Sequence, residues 1–138
     1  MTIDCPHTDY LHQNCAINVV SKECLEGHYQ GIAKEEVFEK LISTTDGLVI
    51  ITTGHHDMIF GRKTTGIHYM PVFNTEVKST LGAGDTFKAG CIYGLLHGYS
   101  DEDTVRFASA ASAIAISRYP LPLNPPTLDE IRRLLGRD

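Results

Sequence analysis

The chain has 138 residues, a mass of 15.2 kDa and a formal charge of -5, from 12 basic and 17 acidic side chains. At 42% hydrophobic and 21% charged residues, its composition excludes a disordered or collagen-like chain and suits a single domain with its own core. An acidic chain without basic runs matches a phosphate backbone poorly, and its apolar runs at 47–51 and 108–116 fall far short of the roughly 20 residues of a membrane span. Neither nucleic acid nor a membrane is therefore expected as a partner.

The opening MTIDCPHTDY has no basic and apolar leader pattern. Cys5, Cys15, Cys24 and Cys91 form no Cys-x-x-Cys pair, so reduced thiols in a cytoplasmic protein are expected. Cys24 and Cys91 stand in apolar contexts and read as small core residues.

Residues 16–20 are a short apolar run and read as a strand. Ser21 is placed to cap a short helix through Leu25, with Gly27 as its stop. Residues 33–43 read as a helix. Val37, Phe38, Leu41 and Ile42 fall at helical spacing, and the charged run from Lys34 to Lys40 forms the outer face. After a turn at Asp46-Gly47, residues 48–52 are continuously apolar or β-branched, as in a strand buried on both faces of a parallel sheet. Residues 58–61 and 66–70 read as hairpin arms, and 72–77 as a further extended segment.

A helix is expected over 83–97, with Phe87, Cys91, Gly94 and Leu95 on one stripe and Gly98 at its C-cap. Ser100 caps the next helix, which is expected to run to about Arg118, and Asp101-Glu102-Asp103 suits the dipole of its first turn. Its middle, 108–113, is nearly all small residues, which lets another backbone or a flat ligand come close. Residues 119–126 are a proline-rich loop. Thr127 caps a last helix over 128–135, with Leu128, Ile131, Leu134 and Leu135 expected to face inward. The order of strands and helices indicates an α/β chain.

The most informative stretch is Thr80-Leu81-Gly82-Ala83-Gly84-Asp85-Thr86-Phe87. A Gly-x-Gly turn follows an extended segment and opens a long helix. Glycines let backbone N–H groups reach a ligand without an intervening Cβ. At a helix N-terminus those donors lack partners and the dipole is positive, which makes a cradle for phosphate. Two readings of Asp85 stand. Either it supports the helix N-terminus beside a tight turn, or it orients or deprotonates an alcohol that attacks a phosphate held there.

Gly82-Ala83-Gly84-Asp85-Thr86-Phe87, followed by Ala89-Gly90 and Gly94-Leu95-Leu96, resembles the C-terminal signature of the ribokinase-like (PfkB) carbohydrate kinases. Phe107-Ala108-Ser109-Ala110-Ala111 resembles the small-residue helix beside the adenine in that family. Leu48-Val49-Ile50-Ile51-Thr52-Thr53-Gly54 resembles the strand and Thr-x-Gly turn that line its nucleotide site, and Val19-Val20-Ser21-Lys22-Glu23 the segment with an acidic residue near magnesium. The resemblance runs from about Thr8 to Leu135.

The resemblance implies the C-terminal part of a doubly wound, mostly parallel sheet flanked by helices, with a small β-hairpin. It also implies an ATP- and Mg2+-dependent kinase acting on a hydroxyl of a sugar or nucleoside. Asp85 would be the catalytic base, and Gly82, Ala83 and Gly84 the anion hole. Thr52, Gly54, Ala108, Ser109 and Ser112 would border the nucleotide, and Glu23 would approach the magnesium through water.

Several positions depart from the family pattern. Ser79-Thr80-Leu81 replaces a frequent Asp-Thr-Thr, which argues against a monovalent-cation site. Asp57 replaces the second glycine of Thr-x-Gly-x-x-Gly, Val20 a frequent Asn, Ser109 another Asn, and Tyr119-Pro120 a common Gly-Ala. The family's upstream half, with its sugar-binding residues, has no counterpart here. A part-sheet exposes an edge and apolar surface, so self-association or a complementing N-terminal piece is expected.

Three other features have competing readings. Cys5, His7, His12 and Cys15 offer zinc-type ligands, but structural zinc sites use tighter spacings, and a frayed polar N-terminal stretch is expected instead. His55-His56 reads as a solvated turn or a phosphate contact. Lys88, one turn beyond Asp85, reads equally as a solvated helix lysine or a phosphate ligand.

Overall fold

The computed structural model describes residues 1–120 and 123–136. The chain divides into two compact units, Met1–Pro71 and Val72–Asp138. Its α/β architecture, a five-stranded sheet with flanking helices, agrees with the sequence reading.

The first unit holds β1 (Thr2–Ile3), α1 (Tyr10–Asn14), β2 (Ile17–Val20), α2 (Lys22–His28), α3 (Lys34–Ser43), β3 (Leu48–Ile51), β4 (Met58–Arg62) and β5 (Gly66–Met70). The strands lie in sequence order. β1, β2 and β3 pair in parallel, and β3–β4 and β4–β5 pair antiparallel. Two of the four pairings are thus parallel, and the antiparallel β4–β5 pair is the expected small hairpin. A parallel return needs a crossover of about a dozen residues. The segments before β2 and β3 supply that length, whereas the loop between Ile51 and Met58 is too short.

β2 and β3 are buried throughout. Val20, Val49, Ile51 and Ile59 pack against Val37, Phe38, Leu41 and Ile42 of α3, the helical stripe read from the sequence. Ser21 caps α2 by accepting from the Cys24 N–H at 3.3 Å. Gly27 does not stop α2 but lies inside it. The helix ends at Tyr29, whose ring is buried and whose hydroxyl accepts from the His7 N–H at 2.8 Å.

The N-terminal stretch is not frayed. His12 is fully buried, and both of its ring nitrogens are engaged. The Asn18 amide donates to Nδ1 at 2.7 Å and to the Cys5 carbonyl at 3.0 Å, so the ring proton sits on Nε2 and is donated to the Leu41 carbonyl at 2.8 Å. Burial is the main cause that lowers the His12 pKa and favours the neutral ring this network needs. Among the described residues, no group of three or more His, Cys, Asp or Glu could hold a metal ion.

The second unit holds α4 (Ala83–Leu96), α5 (Asp101–Ile116) and α6 (Leu128–Leu134). Residues 72–77 form no strand. The chain beyond them is instead fastened to the end of α5, where the Lys78 and Ser79 N–H groups donate to the Ile116 carbonyl at 2.8 and 3.2 Å. α4 buries Phe87, Gly90, Cys91 and Gly94. Leu95, expected on that stripe, is 44% exposed because it lies past the stripe's edge at the i+8 position from Phe87. A Cβ at Gly90 would lie 2.6 Å from the Ala108 Cα, and one at Gly94 would lie 2.7 Å from Thr104 Oγ1. Small residues on both helices thus set how closely α4 and α5 approach.

α5 ends at Ile116, two residues before the expected Arg118. In α6, Ile131 is buried, whereas Leu128 and Leu134 are 39% and 42% exposed. A two-turn helix resting on one side cannot bury all four leucine and isoleucine positions. Of the proline-rich loop expected over 119–126, residues 121 and 122 lie outside the described residues. No helix among the described residues is long and apolar enough to cross a membrane.

Candidate active site

The approach to α4 bends through Gly82, which adopts the left-handed conformation (φ 79°, ψ 2°) and caps the helix without a side chain. Glycine takes that conformation without steric cost. The Ala83 N–H donates to the Thr80 carbonyl at 3.2 Å, and the Thr86 N–H and hydroxyl both reach the Gly82 carbonyl at 2.9 Å. The Gly84 and Asp85 N–H groups face the open helix end with no bond among the described residues.

Gly84 is helical, with no positive φ to require a glycine. A Cβ there would meet nothing closer than Lys88 Nζ at 3.9 Å. Neither backbone strain nor packing therefore accounts for glycine at this position, where it costs up to about 1 kcal/mol relative to alanine. What glycine provides is open access to the backbone.

Asp85 occupies the first turn, its side chain 88% exposed, with Lys88 Nζ 3.8 Å from Oδ1. Beside it runs an apolar groove of about 640 Å³, whose walls include Leu81, Gly82, Tyr93, Phe107 and Pro126. Tyr93 stacks on Phe107, with ring centroids 4.8 Å apart. From Gly82 to Tyr93 the helix advances about 16 Å.

The residues singled out on α5 have different surroundings. Ser112 donates from its hydroxyl to the Ala83 carbonyl at 3.1 Å, which ties α5 to the first turn of α4. Ala108 is fully buried against Gly90, and Ser109 is 6% exposed. At Ala108 the small residue thus admits a neighbouring backbone. Gly82, Ala83, Gly84, Asp85 and Ser112 are therefore gathered at one helix end.

In the first unit, Thr52 extends the β2–β3 ladder, its N–H donating to the Val20 carbonyl at 2.9 Å. Gly54 follows with φ 74°, and exposed Glu23 lies in the first turn of α2, shortly after β2. Glu23, Thr52 and Gly54 thus share the carboxyl end of two parallel strands, the end at which ligands bind in open α/β sheets. His55 and His56 are exposed in the same loop. Thr53 was not singled out from the sequence, yet its Oγ1 is buried with no hydrogen-bond partner. The only signal for it was the doubled threonine before Gly54.

The chain matches the pfkB family carbohydrate kinases over residues 28–127. It is 31% identical over 115 residues to a 5-dehydro-2-deoxygluconokinase of Lacticaseibacillus casei, covering 83% of this chain and 35% of that protein. It is also 31% identical over 127 residues to a ribokinase of Lactococcus lactis, covering 92% of this chain and 38% of that one. The ribokinase structure from Thermotoga maritima superposes with a TM-score of 0.80 at 23% identity, over 91% of this chain and 44% of that one. The chain thus spans less than half the length of these relatives. The matched region contains the glycine turn, Asp85 and most of both units, and the chain belongs to the pfkB family of carbohydrate kinases.

Proposed function

We propose that this chain is the nucleotide-binding, catalytic-base portion of an ATP-dependent kinase that phosphorylates a hydroxyl of a sugar or nucleoside in the cytoplasm. The observation that carries the reading is the open first turn of α4. It combines a left-handed glycine cap, two unbonded N–H groups, a Gly84 that neither strain nor packing requires, and an exposed carboxylate.

In the reaction, the N–H groups of Gly84 and Asp85 donate to the non-bridging oxygens of the transferring phosphoryl group. Asp85 accepts the proton of the acceptor hydroxyl as that oxygen bonds to phosphorus. The bond from phosphorus to the bridging oxygen breaks, and ADP leaves with the electron pair. Ser112 holds the Ala83 carbonyl and with it the shape of the turn. Thr52 and Gly54, at the strand ends of the first unit, border the nucleotide in this reading, whereas Ala108 and Ser109 are buried, Ala108 against Gly90, and serve helix packing instead.

Mg2+ retains water and phosphate ligands and needs few from protein. A single carboxylate, Glu23, acting through water fits that requirement, and bound Mg2+ would neutralise phosphate charge. The acceptor contacts and the remaining walls come from a complementing N-terminal piece or a second copy.

Asp85→Asn is expected to retain Mg-ATP binding and to lower turnover by about 10²–10⁴-fold in the active assembly. Near-normal turnover would overturn the base assignment. The departures from the family pattern at Ser79, Asp57 and Val20 favour a second reading, a non-catalytic nucleotide-binding or protein-interaction member. ATP consumption with a panel of sugars and nucleosides, alone and with an N-terminal piece, separates the two.

A further inference from the structure

Lys88 stands one turn beyond Asp85. Side chains on a helix lean back toward its N-terminus, so a lysine here reaches the first turn. Its Nζ lies 3.8 Å from Asp85 Oδ1 and 3.9 Å from the place a Cβ would take at Gly84.

This pair differs from three other i,i+3 and i,i+4 ion pairs among the described residues. In Lys22–Glu26, Lys40–Glu36 and Arg132–Asp129, both side chains are at least 42% exposed. Such pairs are worth little and either end moves freely in water. The Lys88 side chain is only 23% exposed, although its partner is 88% exposed. The lysine is therefore held down over the helix end while the paired carboxylate is open to solvent.

That location is electrostatically unfavourable for a cation, since the positive end of the helix dipole repels it. Asp85 offsets part of the repulsion. An anion seated over Gly84 would offset it fully, in the space that the absent Cβ leaves open.

We propose that Lys88 is a phosphate-binding residue of this site. In the free chain its ammonium is held by Asp85. When a nucleoside triphosphate binds, the ammonium bonds the terminal phosphoryl group over Gly84. The same short movement frees an Asp85 oxygen for the acceptor hydroxyl. The inference rests on the phosphoryl-transfer reading above.

The test is a calorimetric titration of Mg-ATP and of inorganic tripolyphosphate into the wild-type chain and the Lys88→Met and Lys88→Arg variants. Adenosine, which lacks phosphate, serves as the parallel ligand. Lys88→Gln stands in if the methionine variant loses its helical circular dichroism. The expected result is at least tenfold weaker binding of both phosphate ligands by Lys88→Met, affinity within threefold of wild type for Lys88→Arg, and unchanged adenosine affinity. Equal Mg-ATP affinity in wild type and Lys88→Met would overturn the role of Lys88 and leave the kinase reading standing. An equal loss for adenosine and Mg-ATP would make Lys88 a structural residue and also overturn the proposal. Absence of saturable Mg-ATP binding by the wild-type chain would overturn the nucleotide-site reading and this proposal with it.

Discussion

α4 and α6 both carry an acid at the third position of the first turn, and the two acids have opposite surroundings. In α6, Thr127 caps the helix with its side chain. Glu130 accepts from the Thr127 N–H at 2.8 Å, from its hydroxyl at 2.9 Å and from Arg118 at 2.7 Å. Arg118 and then Thr127 hold the Glu130 carboxyl down at about 2. In α4, Gly82 caps without a side chain, and among the described residues Asp85 pairs only with Lys88, at 3.8 Å. An acid in this position either completes a capping box or faces outward. Glu130 commits its hydrogen-bonding capacity to its own helix cap and to Arg118, whereas Asp85 keeps its capacity for a ligand. The contrast favours the second of the two sequence readings of Asp85.

A similar contrast separates two glycines of α4. Gly90 is required by packing, because a Cβ would overlap Ala108, whereas Gly84 has open space above it. Gly90→Ala carries the largest stability change expected. Overpacking against backbone should destabilise the chain by about 1–3 kcal/mol, read by denaturant melting; an unchanged midpoint would break the assignment of Gly90 to packing. Glu130→Ala should cost roughly 1 kcal/mol, since it removes a capping box and a partly exposed ion pair, and Asp85→Ala should leave the midpoint nearly unchanged.

The same contrast has a pH signature. Because the folded-state pKa of Glu130 is depressed, its contribution is fully present above its ordinary value of 4.5. It is lost as pH falls toward about 2. Wild type should therefore lose more stability than Glu130→Ala across that window, and parallel acid melts would contradict the account. Gly84→Ala is expected to act in the opposite direction on folding, a gain of up to about 1 kcal/mol, together with weaker phosphate binding.

The first turn of α4 was legible in the sequence because its chemistry is contiguous. Gly82, Gly84 and Asp85 lie within four residues, and the glycine turn and helix start they form follow from helix ends in general. The α3 stripe was legible for the same reason, since helical periodicity is local. His12 was not, because its partners Asn18 and Leu41 lie 6 and 29 residues away. A histidine among cysteines therefore read as polar and loose.

The small residues of α5 left two readings open, and only the position of Gly90 settles what Ala108 faces. Leu128 and Leu134 obey the helical pattern, yet a short helix on one side of α5 leaves them partly exposed. The β4–β5 hairpin was legible, whereas the antiparallel pairing of β3 with β4 follows from the short loop before β4, a constraint that strand composition does not carry.

The central claim is that the turn over Gly84 receives a phosphate. The most direct measurement is a calorimetric titration of Mg-ATP into the wild-type chain and into Gly84→Val, with circular dichroism confirming that both are folded. The account predicts saturable binding by the wild type that is lost in the variant, because the added side chain fills the space over the Gly84 N–H. Equal binding by the two folded proteins would place the nucleotide elsewhere and contradict the account.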